Sequence, residues 1–333
     1  MRRLLLPWLL ATLASFALIG GLTVTAASAT AATKTQTTSP VRFAIADQHT
    51  AMFTDPRWQQ LGLRLTRYNV PWDAATDPFQ RQRVIDYVTA ANAAGVKTLV
   101  HLTGQMGPGG AREALPTRAE YRTAMRALVA LLRPMGVTEW GAWNEANHST
   151  QPTIKRPDRA AQFFLELRAA CTGCTIVAVD LLTQGGPSSK GGATYRGYLQ
   201  RFMTALGSKR SLVKIIGVHN YGELIESKGP YRSRDLMRFA RRYVKKTRFW
   251  MTESGGVAAT RTRPCNEARQ VTGNQRMFSH ARTLQREGLD RLYHYNWTAH
   301  TCTDLFDSGL IRADGTARPA LDVIQRGAAG MRR

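Results

Sequence analysis

From Val41 onward the chain alternates short β-rich runs with amphipathic helical segments, and this rhythm restricts its fold more than any other feature. Parallel strands cannot be joined by a tight turn and need a crossover of a dozen or more residues, normally a helix. The runs fall at Val41 to Ala46, Leu63 to Tyr68, Val96 to Leu102, Glu139 to Trp143, Thr175 to Val179, Lys214 to Val218, Arg248 to Thr252 and Arg291 to Tyr295. Helical patterns follow, with clear starts and stops: Pro78 to Ala94 before Gly95, Thr117 to Leu132, Pro157 to Ala170, Thr194 to Leu206, Ser233 to Lys246, Glu267 to Glu287 before Gly288, and Arg318 to Arg326. Eight strands each followed by a helix predict one (β/α)₈ (TIM) barrel over residues 41–333, with no internal linker.

Such a barrel gathers chemistry at the C-terminal ends of its strands. The polar and aromatic residues at those ends are Asp47, Arg67, His101, Asn144, Glu145, Asp180, His219, Tyr221, Glu253 and Trp297. Glu145 closes the fourth strand within Trp143-Asn144-Glu145, and Glu253 closes the seventh. Two carboxylates with hydrogen-bonding neighbours and a Trp suit cleavage of a glycosidic bond. One acid protonates the leaving oxygen, and the other attacks the anomeric carbon or activates water. Asp47 and Asp180 show no distinctive partner in sequence and stay outside this set. No His, Asp or Glu cluster has metal-ligand spacing, so neither metal nor cofactor is expected.

In these residues the chain resembles the clan A glycoside hydrolases, retaining (β/α)₈ enzymes. The likeness rests on Asn144-Glu145 at the end of strand four and Glu253 at the end of strand seven. It extends to Arg67 with Trp72, His219-x-Tyr221, Trp297, and the tail Asp307-Ser308-Gly309-Leu310 with Asp314-Gly315 and Arg318-Pro319. Families 39 and 5 of that group usually place Pro after the acid/base Glu, where this chain has Ala146, so no single family is assigned. The resemblance implies Glu145 as acid/base, protonated near neutral pH, and Glu253 as ionised nucleophile flanked by Arg67 and Tyr221. Asn144 would bind the sugar 2-hydroxyl. Trp297 would floor the sugar site, with Trp143 near that wall or packed in the core. His101 and His219 would hold hydroxyls or orient the acids. The expected ligand is an oligo- or polysaccharide, bound by a monomer. Specificity would lie in the loops Gly104 to Gly110 and Gly185 to Gly192.

The N-terminus has its own logic. Met1-Arg2-Arg3, an apolar run from Leu4 to Leu22 and Ala27-Ser28-Ala29 form a secretory signal over residues 1–29. An uncleaved anchor is the alternative for that run. Residues 30–40 read as a disordered Thr/Ala/Ser-rich linker, and the remainder, with no further span, as a secreted body free of the membrane. Four cysteines in an exported chain read as two disulfides. Cys171 with Cys174 and Cys265 with Cys302 is the simplest of three pairings; a redox or zinc role for Cys171-x-x-Cys174 is the sharper alternative. The formal charge of +23 is scattered over helices and carries no nucleic-acid motif. It predicts a solvated surface with weak attraction to anionic polymers. Two other readings compete with an enzyme: a carbohydrate-binding barrel without turnover, and a basic protein adhering to anionic cell-wall polymers.

Overall fold

The computed structural model describes residues 40–104, 114–184, 194–226, 229–302 and 306–331. The expected signal segment, nearly all of the expected linker, the loop after Gly104 from 105 to 110 and the whole loop 185–192 lie outside those residues.

Eight parallel strands close into one barrel in strict chain order. They are β1 (Arg42–Ala46), β2 (Leu65–Pro71), β3 (Lys97–Thr103), β4 (Glu139–Gly141), β5 (Thr175–Leu182), β6 (Ile215–His219), β7 (Arg248–Ser254) and β8 (Leu289–Tyr295). β8 pairs back onto β1 from Arg42 opposite Arg291 to Ala46 opposite Tyr295, which removes any free sheet edge. The strands are buried on both faces almost throughout, as a parallel sheet under a helical jacket requires. Inside the barrel Ala44, Leu65, Leu99, Val177, Ile215, Trp250 and Tyr293 form a separate apolar layer. Beneath it, Glu139 accepts from Arg291 and Lys97, and the Arg291 guanidinium lies 3.7 Å from the Trp250 ring centroid. The lumen is therefore plugged, and any ligand must enter from the C-terminal end.

The jacket helices begin where their caps dictate. α2 (Pro78–Ala93) starts with Pro at its first position and the Asp77 carboxylate accepting from Phe79 and Gln80. α3 (Arg118–Leu132) opens on a reciprocal capping box between Thr117 and Glu120. α4 (Pro157–Ala170), α5 (Tyr195–Leu206), α7 (Tyr231–Arg241), α8 (Glu267–Gln285) and α9 (Ala320–Met331) complete the ring.

Three features differ from the sequence expectation. After β1 there is no full helix, only a 3₁₀ turn and the single turn α1 (Pro56–Gln59), ended near Gly62 at φ 60°. A short α6 (Tyr221–Ile225) precedes α7, which stops at Arg241 because Arg242 and Tyr243 bond three residues back instead of four. β5 runs past Val179 to Leu182, so Asp180 lies within the strand and not beyond it.

The cysteines pair as Cys171–Cys174 and Cys265–Cys302. The second bridge joins the loops after β7 and β8. Two-residue antiparallel strands at Ala259–Thr260 and Phe306–Asp307 tie the same two loops. Among the described residues no helix is long and apolar enough to cross a membrane.

Candidate active site

Parallel closure brings the C-terminal ends of β2 to β8 to one mouth, and the sequence-distant polar residues meet there around a buried guanidinium. Arg67, with its side chain fully buried, donates from Nη1 to Glu253 Oε1 at 2.6 Å and from Nη2 to Asn144 Oδ1 at 2.7 Å. Its Nη2 also lies 3.5 Å from Asp180 Oδ2, and its Nε donates to His101 Nδ1 at 3.1 Å. One planar fork thus fixes groups carried by β3, β5, β7 and the loop after β4. Burial works against its charge, but Glu253 and Asp180 outweigh burial and hold the guanidinium more firmly protonated than in water.

His219, at the end of β6, is the second buried cation. Its Nδ1 lies 3.0 Å from Glu145 Oε1 and 3.7 Å from Glu253 Oε2. Its Nε2 faces Asp180 Oδ2 at 3.2 Å and Thr252 Oγ1 at 3.1 Å. Burial alone would push the imidazole down, yet the carboxylates of Glu253 and Asp180, with hydrogen bonds to Asp180 and Glu145, raise it to about 10. His101 behaves oppositely. Burial pushes it down to about 3. It also accepts the Arg67 Nε–H through Nδ1, which leaves its proton on Nε2, 3.1 Å from Asp180. Two imidazoles share one carboxylate in opposite charge states, because burial wins at His101 with the Arg67 guanidinium beside it, whereas Glu253 and Glu145 add to Asp180 at His219.

Glu253 is the better held of the two acids. Besides Arg67 it accepts from Asn69 Nδ2 at 3.2 Å and Tyr221 Oη at 3.2 Å. Burial raises its carboxyl, but His219 and Arg67 win and hold it below the usual carboxylate range. Glu145 is more open, its side chain 17% exposed against 8% for Glu253. Its backbone sits in the left-handed region at φ 44°, an uncommon conformation away from glycine that concentrates at functional sites. The Glu145 carbonyl accepts from His148 N at 2.7 Å, which stabilises this turn.

The structure corrects several sequence expectations. Asp180 has distinctive partners after all: Arg67, His101, His219 and the Thr252 hydroxyl, which donates to its Oδ1 at 2.7 Å. Burial opposes its charge, but the neighbouring histidines and Arg67 keep it far below the ordinary carboxylate range. Asp47 likewise has a partner, accepting from Thr298 N and Oγ1 at 2.7 and 2.8 Å. Arg67, His101 and His219 are fully buried, and their side chains meet the carboxylates and the Asn144 amide. Trp297 is 2% exposed and belongs to the main hydrophobic core, so it is no sugar floor. Its place at the mouth is taken by Tyr295, the last residue of β8, which is partly exposed and whose phenol is electrostatically coupled to both acids. Phe306 lies beside it, with ring centroids 6.4 Å from Tyr295 and 4.9 Å from Tyr221. Trp143 is a core residue, stacked on Phe163 with its Nε1 donating to Gln151.

Asn69 was not anticipated either. It follows Arg67 by two residues on the same strand face, so the period-two rule applied from Arg67 toward the mouth reaches it. Two glycines make the arrangement possible. A Cβ at Gly217 would fall 1.2 Å from Asp180 Oδ1, and one at Gly141 would fall 2.2 Å from the His101 ring.

Glu145, His219 and Glu253 also offer ligand atoms within 4.8 Å of one another, a grouping that sequence spacing did not reveal. His219 Nδ1 lies between the two acids, 3.0 Å from Glu145 Oε1 and 3.7 Å from Glu253 Oε2.

No family model matches the chain, and no curated protein matches it in sequence. Solved structures do match in fold. A glucosidase from Croceicoccus marinus superposes with a TM-score of 0.65 at 11% identity over 86% of this chain, which covers 66% of the glucosidase. An endo-β-1,4-glucanase from Xanthomonas axonopodis pv. citri gives a TM-score of 0.57 at 15% identity, covering 87% of this chain and 99% of that one. An endo-β-1,3-glucanase from Amycolatopsis mediterranei, solved with laminaripentaose, gives 0.51 at 16% identity, covering 86% and 99%. In architecture the chain is a (β/α)₈ barrel, the fold it shares with these glucosidase and glucanase structures.

Proposed function

We propose that the protein is an exported retaining glycoside hydrolase that cleaves a β-linked glycan, with Glu253 as nucleophile and Glu145 as acid/base. The observation that carries this reading is the proximity of the two acids, whose nearest carboxylate oxygens lie within 4.8 Å. Double displacement needs carboxyl groups about 5–5.5 Å apart, whereas inversion needs about 6.5–9.5 Å to admit a water. The glucosidase and glucanases that share the fold support a β-glucan or related polymer as the substrate class.

The surroundings divide the two roles. Arg67 and His219 are two buried cations that hold Glu253 and Asp180 ionised, as a nucleophile must be. In this reading Glu145 gives a proton to the leaving oxygen while Glu253 attacks the anomeric carbon. Esterified Glu253 no longer carries charge, and Glu145, left ionised beside His219, then takes a proton from the water that releases the sugar. Asn144, with Oδ1 held by Arg67, has its Nδ2 donors left for the sugar 2-hydroxyl. Tyr295 and Phe306 supply the aromatic surface. Export is supported by the basic-apolar-small N-terminal pattern and by two disulfides.

The test is reducing-sugar release from a panel of β-glycans, with the anomer of the first product followed by proton NMR. Wild type should release product of retained configuration. Glu145→Gln should lose about 10²–10⁴ in kcat/KM, the usual worth of a general acid-base, and Glu253→Gln at least as much. A first product of inverted configuration, or turnover that survives Glu253→Gln, would refute the assignment.

A further inference from the structure

The mouth is not the only concave feature. On the outside of the barrel, between α3, α4 and the segment at residues 209–212, lies a groove of about 520 Å³. Arg118, Arg122, Arg126, Arg168 and Lys209 line it, with Glu166 as the single acid. Glu166 binds Arg118 at 2.5 Å and Arg122 at 2.7 Å, and so is spent on two of the five cations. Arg126, Arg168 and Lys209 are exposed and have no ion-pair partner among the described residues.

A second concavity of about 390 Å³ continues from it onto the N-terminal end of the barrel, sharing Arg168 and Leu212 with the first. Its further cations are Arg42, Lys214, Lys246 and Arg248, set against Asp290 alone. The Cys171–Cys174 turn forms wall in both, so the bridge fixes the place where they meet. Nine cations and two carboxylates thus line one connected track. Concave surfaces of one sign focus the field and concentrate counter-ions of opposite charge. Scattered helix charges would not produce this.

We propose that this track is a docking surface for a phosphodiester-linked polyol polymer, which holds the protein by its back while the mouth stays open. Six of the nine cations are arginines, whose forked guanidinium engages anionic oxygens in pairs. No exposed aromatic lines either concavity, since Phe164 and Trp250 are 1% and 3% exposed, so bases would find no stacking platform there. A polyol phosphate has neither bases nor sugar rings that need an aromatic platform, and its phosphate oxygens can meet the arginine heads along the groove. The track starts at the opposite barrel end from the acids. Arg248 and Glu253 sit at the two ends of β7, separated by five steps of about 3.3 Å along the strand.

The experiment is binding of poly(glycerol phosphate) to the full-length protein by calorimetry, between about 50 and 200 mM salt. Phosphate contacts make log K fall linearly with log salt, by slightly less than one unit of slope per contact. The triple variant Arg126→Glu/Arg168→Glu/Lys209→Glu leaves Glu166 and its partners alone. It should bind at least ten-fold more weakly, with a salt slope shallower by about 2–3. Its charge-neutral Gln counterpart should show the same direction with a smaller loss, which guards against misfolding of the charge-reversed form. Glu253→Gln should bind as wild type does, so failure of the hydrolase reading leaves this one standing. Binding unchanged in both triple variants would overturn the proposal. So would tighter binding of a polyuronate or an oligonucleotide of equal charge.

Discussion

Arg67 and Glu253 meet at 2.6 Å inside the barrel mouth, one from β2 and the other from β7, with the guanidinium wholly out of solvent. Only a closed barrel can bring these strand ends face to face. Removing one member of a buried ion pair leaves the other desolvated and uncompensated, at a cost of about 3–5 kcal/mol. Arg67→Met should therefore lower stability by about that amount and abolish glycan cleavage. Arg67→Lys keeps the charge but cannot hold Glu253, Asn144 and His101 together, so it should recover stability better than activity. Denaturant unfolding alongside kcat/KM separates the two. Equal recovery of both by Lys would mean that charge alone matters there.

The paired charges make stability depend on pH at both ends. His219 is raised from 6.5 to about 10, so its contribution is complete below about 6.5 and is lost as pH climbs through about 10. Glu253 and Asp180 are held below their ordinary values of 4.5 and 3.8, so their contribution is present above those values and is lost as pH falls through the lower folded ones. The expected profile is a plateau with a fall on either side. Melting temperatures of wild type and His219→Gln from pH 6 to 11 check the alkaline limb. The variant should start lower and fall less, and parallel curves would assign that limb to other groups.

Gly217 gives a steric test of Asp180. A methyl at this position would overlap Asp180 Oδ1, which accepts from the Thr252 hydroxyl, while Arg67, His101 and His219 hold the other oxygen of the same carboxylate. Gly217→Ala should destabilise by about 1–3 kcal/mol, the usual range for overpacking. It should also reduce kcat more than KM, because Asp180 positions His219 and Arg67 without touching substrate. Thermal unfolding and steady-state kinetics on one preparation are sufficient. A stable variant with normal kcat would show that Asp180 has room to move and does not position the acids.

The alternation of strand and helix determined the barrel, because parallel pairing needs crossovers and local periodicity reports them. The same rule located Glu145 and Glu253, since a strand end is a local property and a barrel turns every such end to one mouth. Arg67 and Tyr221 were also legible as the groups beside Glu253, and both donate to it. What failed was anything decided by which neighbour a side chain meets. Asp180 looked partnerless because Arg67, His101, His219 and Thr252 come from four other strands, 113 to 39 residues away in sequence. Trp297 and Tyr295 are two residues apart and equally aromatic, yet packing buried one in the core and left the other at the mouth. The charge state of the two histidines follows the same pattern. Sequence supplies two imidazoles, and only the placing of Arg67 beside His101, and of Glu145 and Glu253 beside His219, makes one neutral and the other charged. Periodicity is written along the chain, but electrostatics depends on distances through space, which only the tertiary structure fixes.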